Sequence, residues 1–187
     1  PNNGDYVIPF LHERLEHYGR LRFDQPYICL SGSSHAAFFQ KEAIEAYSAL
    51  ATVVRDRFDM NVYLTPTCRG DRFMYEVAAR TSLPIIPAEL PIVMAAGIVG
   101  RAQAYITGRY HPAIMASLGG TPCVFLGADS HKTTSLQELL EYEQVQTFSA
   151  LPSQVDRTRV CEAATEHLNA GHELRSRIRA VALRRAC

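Results

Sequence analysis

The chain has 187 residues, of which 47% are hydrophobic and 20% charged, with 19 basic side chains balancing 19 acidic ones. That length sustains one substantial hydrophobic core and falls short of two full α/β domains. A net charge of zero excludes the broad electrostatic footprint of a nucleic-acid or anionic-membrane binder, so any cationic chemistry must be local. No apolar run is long enough to span a bilayer. The opening PNNGDYVIPF has neither the charged nor the apolar region of a secretory signal, which points to the cytosol. The five cysteines (Cys29, Cys68, Cys123, Cys161 and Cys187) are scattered without a C-x-x-C pair and are expected to be buried free thiols rather than disulfide or zinc ligands.

In chain order, Leu11, Leu15 and Tyr18 lie at helical spacing among charges, which predicts an amphipathic helix over His12–Arg22. PYICLSG (26–32) is a short apolar run between a proline and a serine-rich loop, a buried strand. The following segment, 36–58, carries Phe39, Ala43, Tyr47, Leu50 and Val54 on one face and predicts a long helix. NVYLTP (61–66) is a second strand. DRFMYEVAAR (71–80) is a helix with Asp71 as its cap. LPIIP (83–87) reads as a brief strand, and PIVMAAGIVGRA (91–102) as an apolar helix with proline in its first turn. QAYITG, HPAIMASLGG and PCVFLG then read as strand, helix and strand. SLQELLEYE is a helix capped by Ser135, VQTFS a last short strand, and Pro152–Arg185 a long helix interrupted at Gly171.

Strands alternating with helices of this length call for parallel pairing and right-handed crossovers. Their unbroken apolar runs suit a sheet covered on both faces. The predicted fold is therefore a Rossmann-like, doubly wound α/β domain. In such sheets ligands bind beyond the carboxyl ends of the strands, where strand order reverses. Four loops qualify: SGSSH (31–35), TPTCRGDR (65–72), TGRYHP (107–112) and LGADSHKT (126–133). All four are rich in small polar residues and cations.

No glycine-rich nucleotide fingerprint follows the first strand, and no P-loop occurs anywhere. The chemistry concentrates instead in G-R-x-H, Gly108 to His111. Arg109 offers a planar fork suited to a phosphate or carboxylate, reinforced by the amides of the helix that follows. Histidine can give or take a proton near neutrality, so His111 is a candidate acid or base. Lys132, after the next strand, can add a second cation to the same anion. Ser31, Ser33 and Ser34 can donate hydroxyl or amide hydrogen bonds. Each has a plainer reading. Arg109 can pair with a surface carboxylate, His111 or the serines can cap helices, and Lys132 can be a solvated loop residue. Arg69 and Arg72 read as solvated neighbours of a capping Asp71, and His35, His12, His17, His167 and His172 as loop or surface histidines. None of these histidines forms the i, i+4 pair that a metal site needs, and no metal is predicted.

The segment YITGRYHPAIMASLGGTPCVFLGADSHKT (105–133) resembles the signature region of the polysaccharide pyruvyl transferase family: an R-x-H loop, a small-residue helix ending in G-x-P, an apolar strand and a lysine shortly after it. The order of strands and helices extends the likeness over most of 26–148. The resemblance implies the C-terminal Rossmann-like half of a GT-B-like two-domain enzyme. Its implied activity is transfer of a pyruvyl group from phosphoenolpyruvate onto two sugar hydroxyls as a ketal. Phosphoenolpyruvate is then a donor substrate and no cofactor is called for. By the same resemblance Arg109, Lys132, Ser31, Ser33 and Ser34 bind the donor and His111 is the catalytic acid.

The expected organisation is a linker or N-terminal remnant over residues 1–24, the anion-binding domain over 25–150 and a C-terminal helical segment over 151–187. The family's N-terminal domain, which supplies part of the cleft, is not recognisable here, so a preceding segment, a homodimer partner or another chain is expected to complete it. Two other functions stay open. One is a nucleotide-sugar glycosyltransferase or epimerase half, which needs a ribose-binding carboxylate where only Glu138 and Glu141 of an ordinary amphipathic helix occur. The other is a non-catalytic binding module.

Overall fold

A computed structural model describes residues 21–128 and 130–186. Five strands form one parallel sheet: β1 (Tyr27–Ser33), β2 (Asn61–Leu64), β3 (Ala104–Gly108), β4 (Cys123–Leu126) and β5 (Thr147–Phe148), in the order β2-β1-β3-β4-β5. Among the described residues, six α-helices link or follow them: α1 (Gln40–Arg57), α2 (Phe73–Thr81), α3 (Ile92–Arg101), α4 (Tyr110–Leu118), α5 (Lys132–Leu139) and α6 (Gln154–Ala186). Short 3-10 turns at Ala36–Phe38 and Arg69–Asp71 precede α1 and α2.

Side chains alternate across a strand, and here both alternations are apolar because both faces are covered. Ile28, Leu30, Leu64 and Ile106 face α1, α2 and the first half of α6. Tyr27, Cys29, Tyr63, Tyr105 and Phe125 face α3, α4 and the last turns of α6. Each fully buried side chain of this size contributes roughly 1.5–3 kcal/mol. Helix α6 packs on both faces because it breaks midway, where Gly171 takes φ 55° and ψ −134°; Val160, Cys161 and Ala164 join one core, Val181 and Ala182 the other.

The chain winds outward from β1 to β2, then returns to lay β3 on the other side of β1. The winding therefore reverses between β1 and β3. Helices α3 and α4 cross at Gly100 and Gly119, so closely that a Cβ on Gly119 would overlap the Gly100 backbone. That approach holds the last turn of α3 against the C-terminal end of α4.

Several expectations are corrected. The predicted helix His12–Arg22 lies outside the described residues but for its last two, which carry no regular structure. LPIIP contributes only a single bridge, Leu64 to Ile85, because its flanking prolines cannot extend a ladder. Helix α5 begins at Lys132, with Ser135 inside it rather than capping it. Cys29, Cys123 and Cys161 are free and buried, and burial pushes the Cys123 thiol up to about 12, whereas Cys68 is exposed.

His167, read as a surface residue, is half-buried against Tyr142, with its Nδ1 enclosed and unpartnered. Desolvation lowers its pKa to about 4. The unfolded chain therefore takes up a proton below about pH 6.5 that the fold resists, so stability is fully present above that value and falls as pH drops toward 4. His167→Gln is expected to flatten the decline in melting temperature between pH 6.5 and 4.

Candidate active site

The loops that follow β1, β2, β3 and β4 surround one cavity of about 640 Å³ at the carboxyl rim of the sheet, over the reversal point. Its polar lining includes Ser34, Thr65, Cys68, Arg109, His111 and Lys132. Arg109 and His111 thus share one concavity with Lys132 from the loop after the next strand. The local reason is the pairing of β1 with β3. Ser33 sits opposite Gly108, where a β-carbon would collide with Ser33. The strand ends approach closely and turn Arg109 into the space beyond.

Arg109 is held by Asp71. Its Nη2 donates to Asp71 Oδ1 at 2.6 Å and its Nε donates to the same oxygen at 3.2 Å. The Asp71 side chain is fully buried and that of Arg109 only 15% exposed. The second carboxylate oxygen, Oδ2, accepts hydrogen bonds from the amide and the hydroxyl of Thr67, both at 2.9 Å. Burial disfavours the Arg109 charge, but the Asp71 carboxylate outweighs it, and the guanidinium pKa lies above its usual value. Asp71 is not the helix cap expected of it; residue 72 holds that position, without a side-chain cap bond. A capping aspartate and a buried counterion look alike in sequence. The one available signal was Gly32, whose missing side chain leaves room for the Asp71 carboxylate. Gly32→Ala is expected to displace that carboxylate and cost about 1–3 kcal/mol as an overpacking change, measured by chemical denaturation.

One Asp71 carboxylate oxygen thus engages Nε and Nη2 of Arg109, a residue that also lines the cavity. Arg109 and Asp71 together carry no net charge, so among the described lining residues Lys132 adds a positive charge beyond that pair. His111 occupies the second position of α4 and is exposed, its ring 5.3 Å from that of Tyr110. Pro112 follows in the first turn, where no amide hydrogen is needed. Lys132 is the first residue of α5, an end at which the helix dipole opposes a cation; an anion bound there satisfies both.

The three serines divide. Ser34 lines the cavity. Ser31 and Ser33 do not: both are fully buried in β1, with Ser31 Oγ 2.6 Å from Thr107 Oγ1 and Ser33 Oγ accepting from the Ala36 amide at 3.0 Å. β1 runs to Ser33, one residue past the predicted PYICLSG, because these hydroxyls find partners inside the fold. Among the described residues no group of three or more His, Cys, Asp or Glu side chains is placed to hold a metal ion, and no helix is long and apolar enough to cross a membrane.

A five-stranded parallel sheet wound both ways from its reversal point, with helices on both faces, defines a Rossmann-like α/β fold. A sequence model of the polysaccharide pyruvyl transferase family matches residues 11–130, more than half of the chain, and the chain belongs to that family. Among solved structures, the fold is similar to that of WaaG, a glycosyltransferase involved in lipopolysaccharide biosynthesis, with a TM-score of 0.56 and 13% sequence identity. The likeness covers 97% of this chain and 47% of WaaG, so the chain spans about half the length of that protein. No curated protein sequence matches it significantly.

Proposed function

We propose that this chain carries the donor site of a pyruvyl transferase that moves the three-carbon unit of phosphoenolpyruvate onto two hydroxyls of a sugar. The observation that carries this reading is the meeting of Arg109, His111 and Lys132 in one cavity, in a chain of this family. Phosphoenolpyruvate presents a phosphate and a carboxylate. The guanidinium of Arg109 suits bidentate capture of one, and Lys132 neutralises the other, with Ser34 beside them.

His111 protonates the methylene carbon, which leaves an oxocarbenium-like centre at C2. One sugar hydroxyl attacks C2 and gives up its proton. Cleavage of the C2–O bond then releases phosphate, and a second hydroxyl closes the ketal. The proton taken from His111 ends in the new methyl group; of the two hydroxyl protons, one restores the acid and the other leaves with the phosphate. Asp71 stays in contact with Arg109 throughout and acts as a positioning residue.

Incubating the chain with carbon-13-labelled phosphoenolpyruvate and a mixture of oligosaccharides tests the chemistry. The expected result is a ketal methyl resonance and free phosphate in equal amounts. Consumption of a UDP-sugar with no ketal would establish the glycosyltransferase alternative instead.

A further inference from the structure

β1 and β3 fall out of step at the carboxyl rim. Leu30 pairs with Ile106 and Ser33 with Gly108, so two residues of β1, Ser31 and Gly32, stand opposite Thr107 alone. Such a bulge is rare between parallel strands, leaves one residue unpaired and re-aims the side chains beside it. Here both bulge residues serve Arg109. The missing side chain of Gly32 makes room for the Asp71 carboxylate that holds the Arg109 guanidinium. Ser31 Oγ lies 2.6 Å from Thr107 Oγ1, which accepts the main-chain N–H of Arg109 at 3.0 Å. Ser31, Thr107 and Asp71 are all fully buried, and none of them lines the cavity.

Counting protons gives these hydroxyls a direction, since each can donate only once. Ser31 Oγ donates to the Gly32 carbonyl at 3.3 Å, which leaves its lone pairs to accept from Thr107. Thr107 Oγ1 in turn receives the Arg109 amide. The chain that starts on the Arg109 main chain therefore ends on the peptide of Gly32, the residue that faces Asp71. Breaking any link strands a buried polar group.

We infer that Thr107 and Ser31 are positioning residues of the donor site: they fix the Arg109 main chain while Asp71 fixes its guanidinium, and the bulge at Ser31 and Gly32 ties the two grips together. The inference rests on the proposed function only for the identity of the anion.

Thr107→Val keeps the shape of the side chain and removes the hydroxyl, whereas Thr107→Ser keeps the hydroxyl. Two readouts separate positioning from stability. One is the Kd of phosphoenolpyruvate by calorimetry; the other is the Arg109 Nε–H nuclear magnetic resonance signal, which reports the contact with Asp71 without any ligand. Thr107→Val is expected to weaken phosphoenolpyruvate about fivefold to tenfold, to shift the Nε–H signal and to speed its exchange with solvent. Thr107→Ser should stay close to the native chain in both. Ser31→Ala should act in the direction of Thr107→Val, by about twofold to fivefold in Kd, and carries the test where Thr107→Val does not fold. The control is Thr121→Val, just before β4 at the amino rim, which removes a fully buried hydroxyl bonded to the Ala102 carbonyl at 3.0 Å. It should lower stability and leave both readouts unchanged. Native values of both readouts in Thr107→Val, or equal changes in Thr121→Val, would overturn the inference, because the hydroxyls would then serve stability alone. A native chain that does not bind phosphoenolpyruvate removes the donor reading alone, and the Nε–H comparison still decides whether the two hydroxyls position Arg109.

Discussion

Arg109→Ala is expected to abolish measurable phosphoenolpyruvate binding and to destabilise the fold by about 3–5 kcal/mol, because it strands the buried Asp71 carboxylate. The two effects are separable. The two Thr67 bonds remain on Oδ2 in the variant, but the countercharge is lost. Replacing Asp71 by Asn in the same chain removes the uncompensated charge, so Asp71→Asn with Arg109→Ala should recover stability without recovering the donor. Arg109→Lys should do the reverse of a simple charge argument. It restores a cation beside Asp71, yet an ammonium cannot grip a carboxylate on one edge and present a planar fork on the other. Denaturant titration should therefore show partial recovery, while calorimetry still shows donor affinity lower by at least about tenfold.

His111→Ala is expected to act on turnover alone. The imidazole is exposed at the second position of α4 and supports nothing in either core, so the melting temperature should stay within about one degree. Loss of a positioned acid costs typically about 10²–10⁴ in rate. Ketal formation should fall by that factor with the phosphoenolpyruvate Kd changed no more than about threefold, because Arg109 and Lys132 still hold the anion. A parallel loss of donor affinity would mean that His111 binds the anion rather than protonating it.

Much of the fold was legible because punctuation and periodicity agreed. PYICL and PCVFL are short apolar runs bounded by proline and glycine, and both are buried strands; the break at Gly171 was visible as a helix former's gap in a long polar helix. LPIIP misled because its apolar content resembles a strand while its prolines forbid one, and only the position of β2 beside it leaves a single bridge. Ser135 misled because cap residues are also tolerated inside helices, and the chain turned helical three residues sooner, at Lys132.

The site was legible where the rule is topological. Residues after successive parallel strands meet at one rim, and Arg109, His111, Lys132 and Ser34 do so. It was not legible where polar residues turn inward. Ser31 and Ser33 look like loop hydroxyls until the pairing with β3 supplies Thr107 as a partner. Asp71 and Thr67 gain their role only when the β2 loop folds over Gly32 and meets a guanidinium 38 residues away. Helix α3 reads as a core helix, and Met94 and Ile98 are buried in the core, whereas Ile92 in its first turn is exposed.

Calorimetric titration of phosphoenolpyruvate into the native chain and into Lys132→Ala is the most direct measurement. Single-site, saturable binding is expected, weakened about tenfold to hundredfold when the lysine is removed, as for loss of one charged hydrogen bond. No binding to the native chain, or equal affinity in both proteins, would contradict a donor site at this rim.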